Sequence, residues 1–478
     1  MKLRLIRSTK IQSLWLLIFG SILLSLGIQY QSNLTLIIAL AMVLLLAQLW
    51  SGNVRAFVYL LLGVGMPLFP DVGIHLGGRV LNWFDFIFLV FGSWNLFNFF
   101  KHDDRPKLDR VILASIFFLS VLLILVMRSQ VIIVSFREWI SYVVNFFLTY
   151  WVIQNISAKD LKPFLIAILG ASYLVNLMAV WQKYNGFRFP SVIDGEVSIR
   201  LGVPGTFEDS LLLSMYAGFM GILALMGVLR FRGLVRYFCW ISLIINLITL
   251  NLALSRNGIF ILVVSLCTFA FFRFLDWLRS WKEAVKIPIL ILGFPVLSLS
   301  ILVILPRDIY HRITSVFYLF SGTSDPVILY NIRSTLGRLE NYKAAIKIFL
   351  DNPLEGIGLG LYPIMTKFHD ADGFYTGLLA ETGLIGSASF LIFAISFISF
   401  VYLRLKVFSE SIKIECYESY GILLFYQLYF SLIIALFLVS LFEPIFKIQI
   451  MTFYIFYLLR LLSVESELLH ERSLDNGV

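Results

Sequence analysis

The chain has 478 residues, of which 59% are hydrophobic and only 14% are charged, and its mean hydropathy is +0.89. Soluble domains carry roughly 25% charged residues, and a globular core of this size cannot hide so much apolar surface. Soluble classes are therefore excluded, and we expect an all-α, multi-pass membrane protein. The net charge of +9 fits basic cytoplasmic loops facing anionic lipid, so we expect a bilayer and no nucleic acid as partner.

The N-terminus combines basic residues between Lys2 and Lys10 with an apolar run from Ile11 to Ile28. The run is long for a signal peptide and no small-x-small cleavage site follows it, so we predict a first membrane anchor. A membrane helix needs about 20 apolar residues. About fourteen segments approach that length, and we predict a single transmembrane domain over residues 1–478 with about 12–14 helices. The predicted spans are 12–29, 33–50, 54–70, 80–100, 110–127, 138–156, 163–183, 208–229, 235–254, 258–275, 287–305, 383–403, 420–442 and 445–462.

The distribution of basic residues predicts the orientation of these spans. With the N-terminus inside, 23 of the 38 Lys and Arg residues fall in inner segments and eight in short outer loops. Shifting the register by one helix reverses this bias, and an excess of Lys and Arg marks the cytoplasmic side. We therefore expect both termini to lie in the cytoplasm.

A long connection over residues 306–371 is predicted to lie outside the membrane on the extracytoplasmic side. Long ordered loops usually carry function. Residues 336–350 have helical amphipathicity, which predicts a helix within this loop. Arg338 lies at the edge of its apolar face and is expected to point toward the protein or the membrane surface, although a snorkelling arginine would occupy the same position. The predicted apolar face comprises Leu339, Tyr342, Ile346, Phe349 and Leu350.

Polar residues that suit acid–base chemistry follow this helix. The glycine-rich run at 351–360 lacks the Gly-Lys-Ser/Thr of a Walker motif, so by itself it is weak evidence for phosphate binding. His369, Asp372 and Glu381 lie at the mouth of a membrane helix. A desolvated carboxylate or histidine can act as a general base, whereas a solvated polar helix start would show the same residues.

Four arginines at predicted outer helix ends are candidates for binding phosphate, because the guanidinium fork matches phosphate oxygens. They are Arg200, Arg256, Arg333 and Arg338. Pairing with lipid phosphate or nearby acids is the alternative for any single one. Asp85 and Glu443 are acids near outer membrane ends and are candidate supporting residues, or members of structural ion pairs. No Cys/His cluster has zinc spacing, and we expect neither a metal nor another cofactor.

Four motifs resemble those of the O-antigen ligase and polymerase superfamily. They occur in order between about residues 198 and 390: Arg-x-Gly-x-x-Gly-Thr-Phe at 200–207, Leu-Ser-Arg-Asn-Gly at 254–258, the Arg-x4-Arg, Asn-Pro-Leu and Gly-x-Gly-x-Gly pattern at 333–360, and Ala-Glu-Thr-Gly-Leu-Ile-Gly at 380–386. The resemblance implies a GT-C-like, metal-independent glycosyltransferase. Such enzymes use a saccharide on undecaprenyl diphosphate at the outer face of the plasma membrane. Ligases of this family have a histidine nine residues before the glutamate of Glu-x-Gly, and Asp372 occupies that position here.

The resemblance is therefore closer to the polysaccharide polymerase branch. We predict that Asp372, or His369 as second choice, accepts a proton from the acceptor hydroxyl while the four arginines hold the diphosphate. Glu381, Asp85 and Glu443 are predicted to support the site. A flippase and a chain-length regulator are further candidate partners. The alternatives are an O-antigen ligase, a protein O-oligosaccharyltransferase, and a lipid-linked oligosaccharide flippase or other transporter.

Overall fold

The computed structural model describes the helical body of the protein and a few short segments that precede it. The residues described are 63, 65–68, 73–76, 79–82, 88, 109–154, 156, 158–185, 190–193, 196–199, 203–207, 210–253, 255–279, 326–368, 371–412, 418–443, 446 and 448–475. The predicted spans 12–29, 33–50 and 287–305 lie outside these residues, as do nearly all of 54–70 and 80–100. The structure is therefore compared with the prediction from residue 109 onward.

From residue 109 onward, eleven helices follow one another in the described part of the chain. They are α1 (Arg110–Met127), α2 (Ile132–Gln154), α3 (Ala158–Tyr184), α4 (Ser210–Arg230), α5 (Leu234–Ala253), α6 (Arg256–Arg279), α7 (Pro326–Asp351), α8 (Tyr362–Met365), α9 (Phe374–Ile412), α10 (Glu418–Val439) and α11 (Gln449–Asp475). Two antiparallel hairpins accompany them, formed by β1 (Gly73–Leu76) with β2 (Arg79–Asn82) and by β3 (Pro190–Ile193) with β4 (Glu196–Ile199).

Seven of these helices are long and apolar enough to cross a membrane: α1 to α6 and α9. Shorter apolar stretches, Leu423–Val439 and Met451–Val464, occur in α10 and α11. Helix α1 coincides with the predicted span 110–127, and it begins there because the Asp109 carboxylate accepts a hydrogen bond from the backbone N–H of Ile112 at 2.9 Å. The prediction of an all-α, polytopic membrane protein is confirmed.

Helix α4 lies at the centre of the described bundle, where it contacts α5, α6 and α10. Its middle is buried almost completely, as expected for a helix that is apolar all round and lies inside a bundle. Glycines allow a neighbouring helix to approach α4 closely. Gly218 of α4 and Gly258 of α6 face each other so closely that a Cβ on either would overlap the other helix's backbone. The small residues therefore determine how near α6 approaches.

Aromatic side chains fill the interface between α1, α2 and α9. Phe118, Phe146 and Phe390 form edge-on contacts with centroid separations of 5.5–6.2 Å, and Phe374 and Phe446 close the cluster at one end of α9. Such pairs contribute roughly 0.5–1.5 kcal/mol each beyond their buried area. The cluster fixes the N-terminal end of α9, next to the polar residues described below.

Helix α7 is longer than the helix predicted for the long loop. It begins at Pro326 rather than at residue 336, and proline is tolerated in the first helical turn because its missing N–H has no intrahelical acceptor there. Its packed side is centred on Asn341 and Ala345, whereas Leu339 and Ile346 of the predicted apolar face are exposed. The smaller side chains therefore face the rest of the fold, and two of the larger apolar ones point away from it.

Candidate active site

Helix α9 is broken at Gly383, and the break is bridged by the glycine-rich loop that follows α7. Gly383 has φ of 60° and ψ of −158°, so the intrahelical hydrogen bonds cannot continue through it. The backbone N–H groups of Leu384 and Ile385 donate instead to the carbonyls of Pro353 and Leu354, at 2.8 and 3.1 Å. The loop thus satisfies the first donors of the second half of α9, as a cap does at a helix N-terminus.

The same loop also satisfies the first half of the broken helix. The N–H groups of Ile357 and Gly358 donate to the carbonyls of Ala380 and Glu381, at 3.1 and 2.9 Å. Gly356 has φ of 69°, and a Cβ there would overlap the Glu381 carbonyl. The glycine-rich run and the Glu-Thr-Gly run are therefore two halves of one backbone interlock. This interlock accounts for Gly356 and Gly383 without a phosphate ligand.

Glu381 is buried within this interlock. Its carboxylate accepts a 3.4 Å hydrogen bond from the backbone N–H of Tyr362, the first residue of α8. The Tyr362 hydroxyl in turn donates to the backbone carbonyl of Asn341 at 3.0 Å and contacts the Asn341 side chain. Glu381 therefore connects the break in α9 to α8 and, through Tyr362, to α7. Its position supports the loop that carries the site.

An ion pair between Arg338 and Glu443 joins α7 to the turn that follows α10. The Arg338 guanidinium lies 2.9 Å from the Glu443 carboxylate, and the side chains are 32% and 7% exposed. The Tyr342 hydroxyl, one turn along α7, donates to the backbone carbonyl of Leu441 at 3.1 Å. Two contacts thus hold the same face of α7 on this turn, and the guanidinium remains partly accessible.

Opposing charges act on Glu443 and Tyr342 at this position. Burial raises the pKa of the Glu443 carboxyl, while Arg338 and the Asn257 side chain lower it and Asp372 raises it again. Burial also raises the pKa of Tyr342, with a further increase from Asp372 and a decrease from Arg338. Asp372 therefore lies within electrostatic range of both groups. One cation and two acids share a half-buried space, and a polar amide faces one of the acids.

The backbone around Asp372 is fixed by contact with the same turn. The N–H of Phe374 donates to the Ser440 carbonyl at 2.8 Å, and the Tyr375 hydroxyl donates to the Phe437 carbonyl at 3.0 Å. Gly373 has φ of 87°, and a Cβ there would overlap the Leu441 carbonyl. A glycine after Asp372 is thus needed for the close approach of this segment to the turn that follows α10.

Arg256 begins α6 at the same end of the bundle. The Ser214 hydroxyl of α4 donates to the Ser255 carbonyl at 3.1 Å and lies 3.1 Å from the Gly258 N–H, so the start of α6 is fixed on α4. Asn257, the neighbour of Arg256, faces Glu443. Phe260, one turn further, packs edge-on against Phe442 with a centroid separation of 6.1 Å. The segment 255–258 therefore lies beside the Arg338–Glu443 pair.

Residues 241–391 match the family model described as O-antigen ligase. The chain contains an O-antigen ligase family domain. This match supports an O-antigen ligase or polymerase type of membrane glycosyltransferase. The matched region runs from within α5 into the second half of α9, and it includes Arg256, Arg338, Asp372 and both parts of the backbone interlock. The comparison with curated proteins found no match.

The structure describes only some of the residues that the sequence predicts for the site. Arg256, Arg338, Asp372, Glu381 and Glu443 are described, whereas Asp85, Arg200 and His369 lie outside the described residues. Arg333 lies in α7, five residues before Arg338, and its side chain is likewise outside them. The part of the chain that the structure describes contains no group of three or more His, Cys, Asp and Glu side chains arranged for a metal.

The motif that includes Arg200 is nevertheless anchored in the described structure. Gly205 has φ of 66°, and its backbone N–H and carbonyl both pair with the Gln182 side chain of α3, at 2.8 and 2.7 Å. The N–H of Val203 donates to the carbonyl of Leu252 at the end of α5, at 3.3 Å. This motif therefore approaches the α5–α6 turn that carries Arg256.

Sequence reasoning missed three residues of the O-antigen ligase domain and its neighbourhood. Asn257 lies inside a recognised motif and was not singled out beside Arg256. Tyr342 was assigned to the apolar face, although its hydroxyl is a donor to the Glu443 turn. Arg128, just after α1, pairs with Glu355 of the glycine-rich loop. Its position at a predicted outer helix end was the available signal, since arginine there departs from the positive-inside bias.

Proposed function

We propose that this protein polymerises lipid-linked repeat units into a bacterial surface polysaccharide. The donor is a glycan on undecaprenyl diphosphate, and the acceptor is a hydroxyl on a second lipid-linked repeat. The observation that carries the proposal is the half-buried group of Arg338, Glu443 and Asp372, with Asn257 and Arg256 beside it. This group combines a cation that can stabilise the charge on the leaving diphosphate with a carboxylate that can accept a proton from the acceptor hydroxyl.

The chemical step breaks the bond between the anomeric carbon and the diphosphate oxygen, and it forms a bond from that carbon to the acceptor oxygen. Asp372 takes the proton that the acceptor hydroxyl loses. Negative charge develops on the departing undecaprenyl diphosphate, and Arg338 and Arg256 neutralise it from fixed positions. Arg333 and Arg200 complete this set in the proposal, and His369 is the second choice of base.

Glu443 has a separate role in this proposal. A buried carboxylate at 2.9 Å orients the Arg338 guanidinium before substrate binds, while the 32% exposure of Arg338 leaves donors for the diphosphate. A preoriented cation needs no reorganisation when charge develops. Removing Glu443 is therefore expected to reduce turnover less than removing Arg338. Asp85 and Glu381 remain proposed supporting residues, Glu381 through the interlock.

Elongation of a purified lipid-linked repeat unit tests this function. Arg338→Ala and Asp372→Asn should each lower the rate of chain extension by at least about 100-fold, the loss typical of removing one group that stabilises the transition state. Lys343→Ala is the matched control, because Lys343 is an exposed cation on the same helix. Full-length product from Arg338→Ala and Arg256→Ala at normal protein levels would contradict the diphosphate role. Activity should persist in EDTA, as the proposed chemistry needs no metal.

An O-antigen ligase is the second candidate, and the description of the matched family favours it. The donor chemistry is related, but the acceptor is lipid A core, or a protein serine in an oligosaccharyltransferase. Product analysis in cells separates the two. A strain lacking a ligase accumulates long chains on undecaprenyl diphosphate, whereas a strain lacking a polymerase loses those chains. We prefer the polymerase because position 372 is an aspartate, whereas ligases of the family have a histidine there.

A further inference from the structure

The exposed side of α7 carries apolar residues although this helix cannot cross a membrane. Six of its 26 residues are charged, which is too many for a spanning helix, and they are Arg333, Arg338, Glu340, Lys343, Lys347 and Asp351. Nevertheless Leu339, Ile346 and Leu350 are all exposed, Leu350 by 68%. At 100° per residue these three side chains lie within about 40° of one another, and we call them the apolar row.

The surroundings change stepwise around the circumference of α7. Asn341 and Ala345 are buried against the fold, and Phe349 beside them is half-buried. The apolar row comes next, and the exposed Lys343 and Lys347 lie beyond it. The helix thus passes from packed protein through an apolar strip to cations. A helix that lies in a membrane interface beside a membrane protein meets protein, hydrocarbon and lipid phosphate in this order.

The apolar row continues onto the surface of a membrane-spanning helix. Leu354, four residues after Leu350, is 62% exposed, and its carbonyl accepts a hydrogen bond from the Ile385 N–H at 3.1 Å. Ile385 and its neighbour Leu384 are exposed at the start of the second half of α9, within the span Phe374–Lys406. Exposed apolar side chains of such a span face lipid. The row therefore meets a lipid-facing surface at its C-terminal end.

We propose that α7 is an interfacial helix in the leaflet where the second half of α9 begins. Its apolar row enters the acyl layer, and Lys343 and Lys347 lie at the depth of the lipid phosphates. The bilayer is preferred to a second copy of the chain because it covers the row together with Leu384 and Ile385, whereas a protein partner on α7 would leave these two to lipid. This placement requires no particular activity and stands apart from the function proposed above.

Nitroxide labels on α7, measured by electron paramagnetic resonance in phospholipid nanodiscs, test this placement. The native Cys239, Cys267 and Cys416 are replaced by alanine, and one label is attached to Ile346→Cys or to Lys347→Cys. The two positions are a matched pair, because both are exposed and consecutive helical residues point about 100° apart. The ratio of collisions with O₂ to collisions with a water-soluble nickel chelate should be several-fold higher at 346, at a depth of roughly 5–10 Å into the headgroup and acyl boundary.

Two results would overturn the proposal. Equal access of the nickel chelate to both labels would place the apolar row in water. A label at 346 that neither reagent reaches would show that protein covers the row. Leu339→Cys with Glu340→Cys repeats the comparison one to two turns earlier, and the label at 339 must again be the deeper one.

A photocrosslinking measurement replaces the labels if the cysteine-free protein does not fold. Benzoyl-phenylalanine is introduced in place of Ile346 or of Lys347 in the otherwise unchanged chain, and the crosslinked products are identified by mass spectrometry. Adducts with phospholipid acyl chains from position 346, in excess over those from 347, support the placement. Adducts with protein only, or no excess of lipid adducts at 346, refute it.

Discussion

Replacing Gly356 with alanine should break the interlock between the glycine-rich loop and α9. Gly356 adopts φ of 69°, which costs an alanine roughly 1–2 kcal/mol, and the added Cβ would overlap the Glu381 carbonyl. The loop must then move away from four backbone hydrogen bonds of 2.8–3.1 Å, each with a net value of about 1 kcal/mol. We expect a total loss of about 3–5 kcal/mol in folding free energy, since the loop can relax only in part.

Gly337 provides a matched control for this substitution. It lies inside α7 with no atom within 4 Å of the Cβ position, so Gly337→Ala should stabilise the helix by about 0.5–1 kcal/mol. Thermal melting of the two purified variants in the same detergent measures the difference. Gly356→Ala should melt well below the wild type and lose elongation activity, while Gly337→Ala should melt at or above it. If the two variants melt together, the interlock contributes nothing to stability and the reasoning is wrong.

The other predictions concern the acid of the site and two contacts between helices. Because burial raises the pKa of Glu443, the contribution of its carboxyl to stability is complete at acidic pH and is lost as the pH rises through the folded-state pKa. The melting temperature of Glu443→Gln should therefore rise relative to that of the wild type as the pH is increased. The side-chain oxygen of Asn246 in α5 is a buried acceptor for hydrogen bonds from α3, so Asn246→Leu should lower the free energy of unfolding by about 1–2 kcal/mol in a melting assay. Asn251→Leu, on the exposed side of α5, should leave it almost unchanged. Gly218→Ala should displace α6 and abolish elongation, whereas Gly221→Ala meets its nearest neighbour at an ordinary 3.8 Å and should keep both activity and melting temperature.

The interlock also explains why the recognised motifs occur together. Pro353, Leu354, Ile357 and Gly358 supply the backbone groups that a broken α9 lacks, so neither motif can satisfy its hydrogen bonds without the other. The result is a rigid connection between α7, which carries Arg338, and the segment that carries Asp372. Accurate placement of both residues through backbone contacts is what preorganised electrostatic stabilisation requires.

The sequence alone determined the protein's class and most of its helices from residue 109 onward. Hydropathy suffices for this because each apolar span must satisfy its own backbone hydrogen bonds in lipid, whatever its neighbours are. The span 110–127 was predicted to the residue for that reason, since Asp109 also provides a local cap. The four motifs likewise indicated the O-antigen ligase resemblance, which the family match over residues 241–391 confirms.

Only the tertiary structure decided which polar groups meet. The partner of Arg338 is Glu443, 105 residues away, and no local pattern encodes a pairing across that separation. The face of α7 that packs against the fold also could not be predicted from hydrophobic periodicity, because both faces of a helix at a membrane surface can be apolar. In the structure, Asn341 and Ala345 face inward, where small side chains allow close packing. Contacts between segments that are distant in sequence therefore determine the arrangement of the candidate site, whereas composition determines only that the helices form in a membrane.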